Sequence, residues 1–338
     1  MTADRKCIPP FMFNLVVRVL DERKLGSAAL VMGADLTLKE LTHQDTRISF
    51  RDALTLIENA YRISGDEALG LNIANEVNIA DWGMMGYAVA SCASLGESLR
   101  IGQRYNRVAT RLTDNRLEVG EQECSFDSAP LYNAGELERF LVEEDLGGVV
   151  GMLHRYLGDS ANPREVHFSY AEPGYIEDYR RHFRCPLKFG QERNKIIWNS
   201  QDMERPFPQR NPAATAMAIE HCEKLISDER DRGTVTDRVR SYMVQEPGHY
   251  PPIEEVSAAF NMSESSLRRA LKAESSSYQR ILNDVRMKLA VEYLTTSSLK
   301  LEAIAQLVGY SDLSNFRRAF RGWTGKSPMA YRKGRGAG

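Results

Sequence analysis

The chain has 338 residues, 42% of them hydrophobic and 27% charged, an ordinary globular composition that excludes wholesale disorder and collagen-like repeats. Because single hydrophobic cores usually stop growing below this length, we expect two or three domains. The net charge of −2 hides an asymmetry. From Thr236 onward, 16 Lys and Arg face 10 Asp and Glu, a local charge of +6, which leaves −8 for the preceding 235 residues. A basic region after an acidic body suggests a nucleic-acid partner for that region.

Several function classes lack their sequence signals. No apolar run approaches the roughly eighteen residues that cross a bilayer, and the first twenty residues lack a signal peptide's apolar segment, so we expect a cytoplasmic protein without membrane association. Five scattered cysteines and six scattered histidines show no zinc spacing, which favours buried reduced thiols and no metal. No cofactor is expected, since glycine-rich phosphate loops and nucleophile motifs are absent.

Helical patterning in the first 230 residues is clearest in four segments, where apolar residues recur at three- and four-residue steps. These segments are Phe50 to Ile63, Gly65 to Val77, Leu95 to Leu112 and Gly135 to Leu157. Three alternating stretches between them predict strands. They are "NRLEVGEQECSFD" (115–127), "REVHFSY" (164–170) and "PLKFGQERNKIIW" (186–198), the last with a hairpin-like turn. This mixture predicts an α+β domain rather than a doubly wound parallel sheet.

The polar segment "SDERDRGTVTDR" (227–238) separates the two differently charged regions and predicts an interdomain linker. Downstream of it the pattern is helical throughout, and Pro252 suits the first turn of a helix. We therefore assign an α+β domain to residues 1–230, a linker to 231–237 and an all-α domain to 238–335.

Two segments of the all-α domain repeat one another. When "IEEVSAAFNMSESSLRRAL" (253–271) is aligned with "LEAIAQLVGYSDLSNFRRAF" (301–320), Asn261 falls on Gly309 at an offset of 48. After one inserted residue, both arginine pairs coincide. Asn and Gly tolerate the left-handed conformation that ends a helix, while Ser263 in one copy and Ser311 or Asp312 in the other can cap the next helix. Each copy predicts a helix-turn-helix unit.

The second helix of such a unit enters the major groove, where its outward N-terminal residues touch base edges. Arg pairs with guanine, Asn with adenine, and Ser with either. The candidate base-reading residues are Ser265, Arg268, Arg269, Ser314, Asn315, Arg317 and Arg318. Basic residues that suit the phosphate backbone are Lys272, Arg321, Lys326, Arg332 and Lys333. A pair of amphipathic hairpins with solvated arginine faces is the alternative, and the duplication in register argues against it.

The helical segment between the units, 278–294, serves as a linker helix. Its seventeen residues span roughly 25 Å, to which a helix diameter adds about 10 Å. Major-groove faces on one side of a duplex lie roughly 34 Å apart, so one chain can place both recognition helices in successive grooves.

The ordered phrases "RMKLAVEYL", "VGYSD", "NFRRAF" and "GKSPMAYR" resemble the AraC/XylS family of bacterial transcription regulators over about the last hundred residues. Tyr310 stands where the family usually has phenylalanine. Ser275 departs further, since a glycine often follows the first recognition helix. The resemblance implies promoter DNA and RNA polymerase as partners, a homodimer, and base-reading positions that coincide with the seven candidates above. It favours an activator, and a repressor remains open.

The first 230 residues are similar to the arabinose-binding-like effector domain of one branch of the family, which includes regulators of ornithine use and of virulence. The carrying phrases include "DEALGLNIANEVNIADWGMMGYAVASCASLGESLRIGQRYNRV" and "YRRHFRCPLKFGQERNKIIW". The resemblance implies a small-molecule effector, and an amino acid such as ornithine or a related metabolite fits that branch. Candidate effector contacts are Trp82, Met85, Tyr87, Arg104, Tyr105, Glu143 and Glu144, although core packing and helical surface charge also explain these residues.

The sequence therefore predicts a DNA-binding transcription regulator controlled by an effector. A constitutive or partner-controlled regulator, whose N-terminal domain serves only dimerisation or protein interaction, is the alternative. An interaction protein whose basic region docks another protein also remains open. An enzyme is not expected, because the S-x-x-K match at Ser297 to Lys300 lacks its S-D-N and K-T-G companions.

Overall fold

The chain divides into two units, Met1–Leu225 and Ile226–Gly338. The computed structural model describes residues 3–43, 46–109, 112–158, 162–232, 234–243, 250–296 and 299–333. Across these residues no helix is both long and apolar enough to cross a membrane. The segment predicted as a linker is helical as far as Arg232, and a new helix begins at Val235.

Nine α-helices occur in the described part of the chain up to Arg232. They are α1 (Phe11–Glu22), α2 (Leu38–Leu41), α3 (Phe50–Ser64), α4 (Leu69–Glu76), α5 (Gly83–Ser91), α6 (Leu95–Ala109), α7 (Glu138–Leu157), α8 (Ile176–Phe183) and α9 (Pro212–Arg232). The four predicted helices are all present. Helix α3 starts sharply because Ser49 and Asp52 form a capping box, in which each side chain accepts from the other residue's backbone N–H. Helix α4 begins later than predicted, because Gly65 ends α3 in a left-handed conformation.

The N-terminal unit contains a five-stranded sheet in the order β1-β2-β5-β3-β4. The strands are β1 (Thr113–Val119), β2 (Glu123–Pro130), β3 (Glu165–His167), β4 (Leu187–Lys188) and β5 (Asn194–Asn199). The pairs β1/β2, β2/β5 and β3/β5 are antiparallel, and β3/β4 is parallel. The predicted α+β class is confirmed.

The hairpin predicted within 186–198 is wrong. Val166 of β3 pairs with Leu187 on one side and with Ile196 on the other, so β3 lies between β4 and β5. The connecting turn is held by the segment that follows β3, since the Gly190 N–H donates to the Tyr170 carbonyl.

Helix α7 is the central element of the N-terminal unit. It packs against α4, α8 and strand β2, and Phe140, Leu146 and Val150 are fully buried along it. A second layer of apolar side chains from α1, α3 and α4 completes this core. Because α7 is surrounded along its middle, Glu143 and Glu144 lie inside the protein.

The described part of the C-terminal unit is helical beyond the end of α9, as predicted. Its helices are α10 (Val235–Met243), α11 (Ile253–Ala259), α12 (Glu264–Ala273), α13 (Tyr278–Thr296), α14 (Leu301–Leu307), α15 (Leu313–Thr324) and α16 (Pro328–Lys333). Two apolar cores lie along α13. The first is mainly aliphatic, with Leu267 and Leu271 at its centre, and the second is rich in aromatic rings around Phe316 and Phe320.

Candidate DNA-binding face and effector cavity

Helices α11 and α12 form the first predicted helix-turn-helix unit. Asn261, at φ 52°, makes the left-handed turn between them, and the Ser263 hydroxyl accepts from the Ser266 N–H to cap α12. Leu267 and Leu271 bury one face of α12. The predicted base-reading residues of this unit, Ser265, Arg268 and Arg269, are all exposed.

Helices α14 and α15 repeat this arrangement. Gly309 turns the chain at φ 78°, and Asp312 caps α15 by accepting from the N–H groups of Ser314 and Asn315, both at 2.8 Å. Asp312 rather than Ser311 is thus the cap. Since the turn residues of the two units differ by 48 positions and the caps by 49, the inserted residue of the second unit lies in its turn.

The second recognition helix buries Phe316 and Phe320 and exposes the opposite face. The predicted base-reading residues Ser314, Asn315, Arg317 and Arg318 are all exposed. The Arg318 guanidinium donates to Asn315 Oδ1 at 2.7 Å, and the Asn315 amide donates to Asp312. The cap thereby orients an asparagine and an arginine on the exposed face of α15.

The predicted phosphate contacts are placed less uniformly. Lys272, Arg321 and Lys326 are exposed. Arg332 is half-buried and donates to the carbonyl oxygens of Leu294 and Leu299, which holds α16 against the end of α13. The side chain of Lys333 lies outside the described residues.

Arg286 of α13 joins the two helix-turn-helix units. Its guanidinium lies over the rings of Tyr250 and Tyr310, 4.8 and 5.0 Å from their centres, and donates to the Gly309 carbonyl at 3.2 Å. A side chain at Gly309 would put its Cβ 2.7 Å from Tyr250 Cε2 and 2.9 Å from the Arg286 guanidinium. This close approach, together with the positive φ, requires glycine.

A cavity opens in the N-terminal unit between α5, α6, α7 and the β1/β2 hairpin. Its atom-free space is about 510 Å³ when the solvent at its open mouth is included. Three of the predicted effector contacts, Trp82, Met85 and Glu144, line it. The other lining residues are Val89, Ser98, Leu99, Gly102, Asn106, Asn115, Phe126, Asp145, Val149 and Met152.

The other four predicted effector contacts lie elsewhere. Tyr87 is 53% exposed on α5. Arg104 and Tyr105 both donate to the Glu223 carboxylate, at 2.7 and 2.6 Å. Glu143 accepts from the hydroxyls of two tyrosines of the α8 region, Tyr175 and Tyr179. The structure therefore does not gather all seven residues in one site.

Burial controls the ionisation of the acids on α7. It raises the pKa of Glu144 to about 8, with a further contribution from the neighbouring Asp145. Burial also raises the pKa of Glu143 to about 7, against the opposing effect of its two tyrosine partners. Asp145 accepts from the Asn115 amide at 2.6 Å and from the Ser128 hydroxyl, which partly offsets the upward shift that burial gives its pKa.

Residues 25–207, more than half of the chain, match the family described as the arabinose-binding domain of AraC transcription regulator, N-terminal. Residues 256–334 match a helix-turn-helix domain family. The chain is 31% identical over 326 residues to the ornithine utilization regulator of Pseudomonas aeruginosa, an alignment that covers 96% of each protein. The chain belongs to the AraC family of transcription regulators.

This AraC-family regulator is also similar to a second, less similar protein of Pseudomonas aeruginosa. It is 28% identical over 286 residues to the HTH-type transcriptional regulator VqsM, covering 80% of this chain and 84% of that protein. Among solved structures, the transcriptional regulator CdpR of Pseudomonas aeruginosa aligns over 96% of this chain and 98% of its own, with a TM-score of 0.47 and 20% identity.

Sequence reasoning missed Asp145 and Asn115 of the regulator's cavity. A signal for Asp145 exists, because the acidic run "EED" at 143–145 interrupts the apolar sequence of α7. Asn115 lies on a strand, and its place beside Asp145 depends on how that strand packs against α7. Among the described residues no group of three or more His, Cys, Asp or Glu side chains could hold a metal ion.

Proposed function

We propose that this transcription regulator reads promoter DNA through the exposed faces of α12 and α15 and is controlled by a small molecule bound in the cavity beside α7. The observation that carries the DNA assignment is the exposure of all seven predicted base-reading side chains on two capped helices whose opposite faces are buried. Arg, Asn and Ser are the residue types that bond base edges in the major groove.

The proposed contacts are of two kinds. Arg318, on the recognition helix, discriminates between bases, whereas Lys326, after the end of α15, contacts phosphate without reading sequence. The experiment described next also tests the alternative that this surface docks a protein, because a protein-docking surface would show no preference for one DNA sequence.

The experiment selects high-affinity sites for the full chain from genomic fragments and then measures affinity over a salt series. We expect a steep fall of affinity with salt, as phosphate contacts release counterions. Arg318→Ala should weaken binding to the selected site by about 1 to 3 kcal/mol and relax selectivity at one base pair, while Lys326→Ala should weaken binding to all sequences. Arg210→Ala, an exposed arginine of the N-terminal unit, serves as the control.

Equal losses on all DNA for Arg318→Ala and Lys326→Ala would contradict the base-reading assignment. Absence of any DNA preference at every salt concentration would reject the DNA interface itself and favour protein docking.

For the effector, we propose an amino acid such as ornithine or a related metabolite. The support is the cavity with polar groups on apolar walls, together with the similarity to the ornithine utilization regulator over 96% of the chain. An effector changes DNA binding only if it favours one arrangement of the protein over another. If no ligand of the cavity changes the affinity for DNA, that result would favour the constitutive or partner-controlled alternative.

We further propose a cytoplasmic regulator that acts as a homodimer and activates transcription by contacting RNA polymerase. The wide separation of the charges supports a division of labour in which residues 1–230 bind effector or partner copy and residues 238–335 bind DNA. Sedimentation of the full chain with and without operator DNA tests the dimer, and transcription from the selected promoter with purified polymerase tests activation.

A further inference from the structure

Glu144 is a buried acid without a partner. The residue is 5% exposed and lines the cavity, and it makes no hydrogen bond or ion pair with any described residue. An ionised carboxylate in such a place costs several kcal/mol unless it is paired. With a pKa of about 8, the group stays protonated at neutral pH in the free protein. A ligand that supplied a positive charge would stabilise the ionised form.

Asp145 places a second acid on the same wall. Its carboxyl group accepts from the Asn115 amide and the Ser128 hydroxyl, and both of these donors are neutral. The described lining contains no lysine, arginine or histidine. The cavity thus holds two acids and no cationic side chain of its own among those residues.

The remaining walls suit a cation on a carbon chain. Trp82 and Phe126 provide aromatic rings, whose faces attract ammonium groups. Met85, Leu99 and Met152 add apolar surface that an alkyl chain would cover.

We propose that the cavity binds an aliphatic amine, with its ammonium group against Glu144 and Asp145 and its carbon chain along the apolar walls. This inference rests on the proposed function in one respect, namely that the cavity is the effector site, and it favours the related metabolite of that proposal, an amine, over the amino acid itself. An α-carboxylate on the ligand meets no basic side chain in the described lining and would lie beside two acids. A diamine is therefore bound more tightly than the amino acid of the same chain length.

Ligand binding is coupled to a proton. The ammonium keeps its charge, since the pKa of an alkyl amine is about 10.4, but Glu144 must lose its proton. Below pH 8 the amine affinity falls as pH falls, by up to about tenfold per unit, and above pH 8 it levels off. Asp145 is the only other ionisable side chain that α5, α6, α7, β1 and β2 present in the described lining.

The experiment is calorimetric titration of the full chain with three amines, butylamine, 1,4-diaminobutane and 1,5-diaminopentane. Neutral 1,4-butanediol, dianionic butanedioate and ornithine are the comparison ligands. We expect at least one amine to bind, the diol and dianion not to bind, and ornithine to bind at least about tenfold more weakly than 1,4-diaminobutane. Glu144→Gln should lower amine affinity at least about tenfold and flatten its pH dependence.

Glu143→Gln is the matched control. It is the adjacent buried acid on the same helix, but it is held by tyrosines outside the cavity, so amine affinity should be unchanged. Retained affinity in Glu144→Gln, equal binding of the diol, or failure of all three amines to bind up to about 10 mM would overturn the inference. Because Glu144→Gln could alter folding, its thermal unfolding midpoint is measured alongside.

Operator binding is measured separately in the same preparations. An intact operator affinity without amine binding refutes the amine inference and leaves the DNA interface standing. Amine binding that leaves operator affinity and promoter output unchanged refutes the proposed effector control and leaves the amine site standing.

Discussion

The two helix-turn-helix units have the same order of helix, turn and helix but stabilise it with different side chains. Asn261 makes the first turn at φ 52° without a close neighbour that demands glycine, whereas Gly309 makes the second turn beneath the Tyr250 ring and the Arg286 guanidinium. Among the residues that the structure describes, no aromatic residue is a fully buried member of the first core, whereas Phe316 and Phe320 are fully buried in the second. Two units with the same fold can therefore differ in their tolerance to substitution, since the cost of a change depends on the side chains that surround each position.

The two units also differ in the side chain at the first buried position of each recognition helix, which is Leu267 in α12 and Phe316 in α15. Phe316→Ala should cost about 3 to 5 kcal/mol, because the ring packs against Tyr310 and Phe320 and its loss leaves a large cavity. Leu267→Ala should cost about 2 to 5 kcal/mol and lie below it. Urea unfolding followed by circular dichroism measures both. A larger loss for Leu267→Ala would show that the aliphatic unit is the better packed.

The turns provide the sharpest contrast. Gly309→Ala should destabilise the protein by about 2 to 4 kcal/mol, from the strained φ and from the contact with Tyr250 and Arg286. Asn261→Ala should cost only about 1 to 2 kcal/mol, because the left-handed φ is the main penalty. Thermal unfolding of the two variants is the measurement. Equal losses would mean that the close approach at Gly309 relaxes freely.

The helix caps differ in the number of N–H groups they satisfy. Asp312 accepts from two and Ser263 from one, so Asp312→Ala should cost about 1 to 2 kcal/mol and Ser263→Ala about 0.5 to 1 kcal/mol. Amide hydrogen exchange of the first turn of α15 and of α12 reports each loss locally. Asp312→Asn keeps the capping oxygen and serves as the control. Equal losses in the two alanine variants would show that the number of N–H groups accepted does not set the cost.

The smallest expected effects have opposite signs. Ser275, at φ 54°, occupies the left-handed turn after α12, where the resemblance favours glycine, so Ser275→Gly should stabilise by about 0.5 to 1 kcal/mol. Gly325, at φ 72°, occupies the corresponding turn after α15, and Gly325→Ser should destabilise by about 1 kcal/mol. Midpoints of urea unfolding measure both. Two shifts in the same direction would refute the assignment of strain to Ser275.

Local signals made the helix-turn-helix units predictable from the sequence. The turn residues, the caps and the outward arginines all lie within twenty residues of one another in each copy, so spacing alone fixes their mutual arrangement. Sequence left the cap of α15 open between Ser311 and Asp312, because both residue types cap helices and the choice depends on where the inserted residue lies.

The cavity was only partly predictable, because its residues come from distant elements. Adjacent residues of a helix point about 100° apart, so Glu143 faces the tyrosines of the α8 region while Glu144 faces the cavity. Sequence gives no means of choosing between them. The position of β3 between β4 and β5 was not predicted either, because the partners of a strand depend on contacts between residues that are distant in sequence.

The Arg286 stack has a consequence for the promoter. Because Tyr250, Arg286 and Gly309 hold the two units together before DNA arrives, little conformational entropy remains to be lost when the second recognition helix follows the first. If both recognition helices bind DNA as proposed, the second contact is an intramolecular event with a high effective concentration, but only at one half-site separation. Inserting a few base pairs between the half-sites would leave only one recognition helix able to bind at a time. The length of the spacer would then contribute to the specificity of the protein for its promoter.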